Sequence, residues 1–124
     1  MRSHDLMDRT APLSPAECRA LLRAGGIGRV SLSIGALPAI FPVQYELVDD
    51  DIVFRAPTDA APGHGSLDGA VIAFEADQFD PDERGGWSVL VVGRVEQDGE
   101  PGITRVPSER ISGHRFDPLG NVQQ

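Results

Sequence analysis

One stretch constrains this chain more than any other: Gly85 to Glu96, reading GGWSVLVVGRVE. A two-residue alternation puts Trp87, Val89, Val91 and Val95 on one face and Ser88, Leu90, Val92 and Arg94 on the other. Its β-branched side chains suit a pleated strand better than a helix, where their χ1 is restricted. Both faces are largely apolar, so the strand is expected to lie centrally in a sheet, or between a core and a partner subunit. The remaining chain must then supply strands on either side of it.

It does so in short runs. Arg29–Ile34 alternates, with Val30, Leu32 and Ile34 on one face and Arg29, Ser31 and Ser33 on the other. Residues 39–48 place Phe41, Val43, Tyr45 and Leu47 together, opposite Pro42, Gln44 and Glu46. A Pro in mid-strand marks an edge or a bulge, since it has no N–H to give a neighbour. Residues 52–56, 71–76 and 103–106 complete six predicted strands. Gly 14 and Pro 10 fit the many turns this requires. Asp49, Asp50 and Asp51 read as a solvated hairpin turn rather than a metal site. Residues 57–69 and 77–86 read as loops.

One helix precedes the strands. Ser14 is placed as N-cap, Pro15 as the first helical residue, and Glu17 completes a capping box. Leu13 and Cys18 sit as a hydrophobic staple, and Gly25 ends a helix predicted over residues 14–24. Cys18, on an apolar helix position with no nearby His, reads as a small packed hydrophobe. The run Gly25-Gly26-Ile27-Gly28 leads from helix into strand, the reverse of the dinucleotide-binding order. Residues 1–12 read as a flexible arm, 13–116 as one small barrel domain, and 117–124 as a tail.

Composition removes several functions. A formal net charge of -8 offers no basic face to a phosphate backbone, so no nucleic-acid partner is expected. All eleven basic residues are Arg, which excludes a lysine Schiff base. No apolar run reaches the length of a membrane span, and MRSHDLMDRT lacks the apolar core of a signal peptide, so a cytoplasmic protein without membrane contact is expected. His4, His64 and His114 are scattered, and the carboxylates of the second loop miss calcium-loop spacing, so no metal is expected. No catalytic acid–base pair or nucleophile is visible. Arg29, Arg55 and Arg94 stand in or beside apolar strands, where a guanidinium wants an anionic partner. Either a bound anion or salt bridges to Glu46, Glu75 or Glu96 would serve.

Taken in order, LSPAECRALL, GRVSL, LPAIFPVQYEL, DIVFRA, VIAFEADQFDP, GGWSVLVVGRVE and RVPSERISGHR resemble the pyridoxamine 5′-phosphate oxidase-like family, especially its short actinobacterial-type members. The resemblance covers about residues 13–115. It implies a mainly β fold, a six-stranded antiparallel split β-barrel with an N-terminal α-helix. It further implies a homodimer binding FMN, or F420 as some relatives do, at the subunit interface, and hydride transfer to or from a small organic substrate. Carried onto this chain, Arg29, Val30, Pro42, Val43, Gln44 and Tyr45 would line the cofactor. Arg55 would approach its phosphate, and Trp87 and Ser88 would come near the flavin from the partner subunit.

Two departures stand beside the matches. Where relatives carry a phosphate-binding Lys after the V-F-R block, this chain has His64-Gly65-Ser66-Leu67, leaving protonated His64 or the Ser66 hydroxyl to substitute. Loss of one charge-assisted contact corresponds to roughly ten- to more than a hundredfold in affinity. Gln97–Gly102 is also only a turn where relatives carry a helical insertion. An alternative expectation follows: a cofactor-free dimeric split-barrel binding module.

Overall fold

The computed structural model describes residues 10–55, 67, 69–82, 85–97, 100 and 102–117, apart from the side chains of Ile34 and Gln97. Nine strands and one helix occur among them: β1 Thr10–Leu13, α1 Pro15–Leu22, β2 Gly26–Ile34, β3 Leu37–Val48, β4 Asp51–Arg55, β5 Val71–Asp80, β6 Gly85–Arg94, β7 Glu96–Gln97, β8 Ile103–Pro107 and β9 Arg110–Phe116. All pairings are antiparallel, in the order β1-β9-β6-β5-β2-β3-β4-β8-β7.

That order curls on itself. β7, at one end of the sheet, is the chain continuation of β6, in its middle, with only Val95 between them. Val95 still pairs backward, donating its N–H to Ala70 O at 2.8 Å and accepting from Gly69 N at 3.0 Å. The β6–β7 run therefore meets β5 along one part and β8 at its end. β2, β3, β4, β5, β6–β7 and β8 form the curled barrel, and these are the six strands that alternation predicts. β1 and β9 are additional and extend the sheet beyond β6. Residues 10–12 of the expected arm are thus strand, and its residues 1–9 lie outside the described residues. β5 also continues through Asp77–Asp80, which acidic composition had marked as loop.

The core is the inward row of each strand: Val30, Val43, Tyr45, Ile52, Phe54, Ile72, Phe74, Val89, Val91, Val95 and Val106 are all buried. Phe74 lies at its centre, with its ring edge-on to Tyr45 at 4.9 Å. Gly28 exists for that ring: a Cβ there would come within 2.5 Å of two Phe74 ring carbons. Gly28 is therefore a packing device within β2, and Gly25, at φ 69, follows the end of α1. The hairpin turns have positive φ at both central positions, Gly35 and Ala36, then Asp49 and Asp50, the geometry that matches strand twist.

α1 closes one end. Ser14 Oγ accepts from Glu17 N at 3.1 Å while Glu17 Oε1 accepts from Ser14 N at 2.8 Å, the capping box read in the sequence. The Ser14 backbone bond, then the Ser14 hydroxyl, hold the Glu17 carboxyl below its ordinary range, with a smaller contribution from Arg115. Cys18 is fully buried, and burial pushes its thiol pKa up. Arg19 clamps the helix to the sheet, donating Nε to Ser108 Oγ at 3.0 Å and Nη2 to Ser108 O at 2.9 Å. Pro42 sits in β3 opposite Arg29 of β2, beyond the stretch where β3 pairs with β4, so its missing N–H deprives no described strand.

Candidate functional site

Strand alternation sorts the expected site residues before any cleft is considered. Val30, Val43 and Tyr45 point inward and are 0%, 4% and 5% exposed, so they are part of the core. Arg29, Pro42, Gln44, Arg55 and Ser88 lie on the outward rows of β2, β3, β4 and β6. Trp87 is half-buried against the core at the start of β6. Ser66, with His64, lies outside the described residues. The structure therefore brings five of the ten onto one outward face.

The middle of that face carries a polar network. Arg29 donates Nε and Nη2 to Glu75 Oε1 at 2.9 and 2.6 Å, and its Nη2 also reaches Asp77 Oδ1 at 2.7 Å. Ser88 Oγ donates to the other Glu75 oxygen at 2.9 Å. The register dictates the cluster: Arg29 is opposite Glu75, and Asp77 is opposite Ser88. The hydrogen bonds that Arg29 donates to Glu75 raise its pKa further above its already high value. Of the two alternatives open for Arg29, the ion pair with Glu75 is the one present. Alternation in VIAFEAD shows Glu75 and Asp77 sharing a face, a signal obscured when Asp77 is assigned to a loop.

Around the network the face is apolar. Ile27 is 56% exposed, Ile40 70%, Val71 55% and Leu90 40%. Singly such residues need no explanation, but here they share neighbouring outward rows of four adjacent strands.

Arg55 differs from Arg29. It ends β4 on the outward side, and it has no ion pair among the described residues. Its Nη1 lies beside Gly102, where a Cβ would come within 3.1 Å of it. The cleft it borders, of ≈ 530 Å³, is lined also by Gly26, Gln44, Glu46, Val53 and Ile103. Apolar floor, amide, carboxylate and a guanidinium without an ion pair among the described residues together suit a flat, polar-edged ligand bearing an anion. Arg94, the third strand Arg, donates Nη1 to Gly69 O at 2.6 Å and is exposed. Among the described residues no group of three His, Cys, Asp or Glu side chains could hold a metal, and no helix is long and apolar enough to cross a membrane.

Known proteins share this architecture. The family model for pyridoxamine 5′-phosphate oxidase matches residues 14–115. The uncharacterized protein Rv0080 of Mycobacterium tuberculosis (strain ATCC 25618 / H37Rv) is 38% identical over 89 residues, 68% of this chain and 59% of that protein, so the chain spans less than two thirds of its relative's length. The FAD binding protein from Mycobacterium smegmatis superposes with a TM-score of 0.71 at 29% identity, covering 86% of this chain and 98% of that one. An FAD-binding protein from Mesorhizobium loti shares the fold, with a TM-score of 0.67 at 20% identity over 86% of this chain and 96% of that one. With its curled antiparallel barrel, capped N-terminal helix and family match over most of its length, the chain belongs to the pyridoxamine 5′-phosphate oxidase family.

Proposed function

We propose that the chain binds a flavin nucleotide on its outward face and uses it as an oxidoreductase on a small organic substrate. The observation that carries this reading is Arg55, an arginine with no ion pair among the described residues, at the rim of a cleft with an apolar floor. The donor set fits the group. Arg55 offers a permanent charge for a phosphate, Gln44 can give and take hydrogen bonds at a ring edge, and Glu46 can accept one. Val53 and Ile103 supply surface against which a flat ring can lie. Bound flavin would supply hydride transfer, chemistry that asks the protein for orientation and electrostatics rather than an acid–base pair. Membership of the family and the likeness to an FAD binding protein at 29% identity support the reading.

In this reading the rest of the outward face meets a second copy. Ile40, Leu90 and Val71 would be covered there, and the Arg29–Glu75–Ser88 cluster would enter the interface with its own hydrogen-bond partners, Asp77 included. Trp87 and Ser88 would then approach a flavin held by the partner. Light scattering should report a mass of two chains, and Leu90→Asp should reduce it to one; a wild-type monomer at high micromolar concentration overturns the dimer.

FMN, FAD and F420, titrated separately and followed by absorbance or fluorescence, test the cofactor. Saturable binding of one is expected. No saturable binding of any at high micromolar concentration overturns the proposal. That result would favour a cofactor-free binding module, a reading that rests on the missing Lys between Pro57 and Gly69.

A further inference from the structure

Arg55 is the last residue of β4, and its register partner on β8 is Ile103, the residue that follows Gly102. From there its side chain bends over Gly102: a Cβ placed on that glycine would stand 4.0 Å from Arg55 Cγ and 3.1 Å from Arg55 Nη1. Stem and guanidinium of Arg55 therefore both lie along a bare Cα. Contact at 3.1 Å is closer than the optimal van der Waals separation, so a side chain at position 102 would push the guanidinium away. No ion pair among the described residues holds it against such a push. Once displaced, it would turn toward water and regain the rotamer freedom of an exposed arginine.

Gly102 is itself placed by the backbone. Its φ is 85, in the left-handed region, and Ile103 donates its N–H to Glu100 O at 3.1 Å, closing the turn immediately before β8 begins. The turn sets where Gly102 sits, and the pairing of β4 with β8 sets where Arg55 starts. Two backbone constraints thus meet at one flexible side chain.

We propose, on the reading that Arg55 receives the phosphate of a flavin nucleotide, that Gly102 is a positioning residue for that anion site. Its missing side chain keeps the guanidinium folded along the start of β8, beside Ile103 and on the same cleft as Gln44. A guanidinium pairs with phosphate oxygens through a planar fork of fixed geometry, and one that must first be ordered binds more weakly. The turn before β8 acts in ligand binding through Arg55.

The test separates this role from that of a turn glycine. Gly102→Asn adds a Cβ yet suits the left-handed region better than most side chains, whereas Gly102→Ala adds the Cβ with greater backbone strain. Wild type and both variants are titrated calorimetrically with FMN, with riboflavin, which has the same ring and ribityl chain but no phosphate, and with inorganic pyrophosphate. Melting temperatures are recorded on each. Gly102→Asn should weaken FMN and pyrophosphate about three- to tenfold and leave riboflavin as in wild type, with a melting temperature above that of Gly102→Ala. Unchanged affinity of Gly102→Asn for FMN and pyrophosphate, or an equal loss for riboflavin, overturns the proposal and leaves the flavin reading standing. Pyrophosphate binding without FMN binding overturns the flavin reading, while the same comparison on pyrophosphate still decides the role of Gly102. Binding of neither to wild type overturns both.

Discussion

The two faces of β2, β3, β4, β5 and β6 are built from the same strands and obey different rules. Inward, Val30, Val43, Phe74, Val89 and Val91 are almost wholly removed from water and carry no polar group. Outward, the intervening residues form an ion-pair cluster in an apolar frame, plus an arginine with no ion pair among the described residues. The inward face explains why the chain folds. The outward face contributes little to that and is where a ligand or a second copy has something to meet. Substitutions that act mainly on stability should therefore map inward, and those that act mainly on binding should map outward.

The largest stability effect is expected at the centre of the inward face. Phe74→Ala removes the ring that packs on Tyr45 and fills the space left by Gly28, and should cost about 3–5 kcal/mol, read from the denaturation midpoint. Glu75→Ala, on the opposite face of the neighbouring position, should cost about 1 kcal/mol or less. The pair is about one third exposed, and Arg29 keeps Asp77, so solvent screening discounts the contact. If the Glu75 substitution proved as damaging as the Phe74 one, the division between the faces would fail.

A smaller effect sharpens the account at the helix. Glu17 has a pKa lowered from its ordinary 4.5, chiefly by the Ser14 backbone N–H. A depressed carboxyl pKa stabilises the fold above the unfolded value, and that stability disappears as pH falls through the folded value. The difference in melting temperature between wild type and Glu17→Ala should accordingly be present at neutral pH and shrink below about pH 4.5. A constant difference across that range would show that the carboxylate charge contributes nothing to the cap.

How much of this could be read in the sequence follows from the same two faces. Wherever an inward row is Val, Ile, Leu or Phe, two-residue alternation found the strand, and all six barrel strands were legible for that reason. β9 was not. Its buried residue is Gly113, because Cys18 Sγ packs there so closely that a Cβ would come within 2.8 Å. A strand whose core position is glycine shows no apolar period, and β1, paired only to β9, could not be inferred without it. Asp77–Asp80 was hidden differently: acidic residues suggested a loop, yet Asp77 is held in β5 facing Arg29. The candidate site was approached through resemblance and through the arginines that stand in apolar strands. Which arginine remains without an ion pair depends on register, and only the fold separates Arg55 from Arg29 in that respect.

The central claim is that Arg55 holds the anion of a flavin nucleotide while contributing little to the fold. Calorimetric titration of FMN, FAD and F420 into wild type and Arg55→Ala, with melting temperatures measured on both, tests it directly. The account predicts saturable binding of one cofactor to wild type, weakened roughly ten- to more than a hundredfold in the variant, with nearly equal melting temperatures. Equal affinity in both proteins, or loss of binding only through loss of the fold, would contradict it.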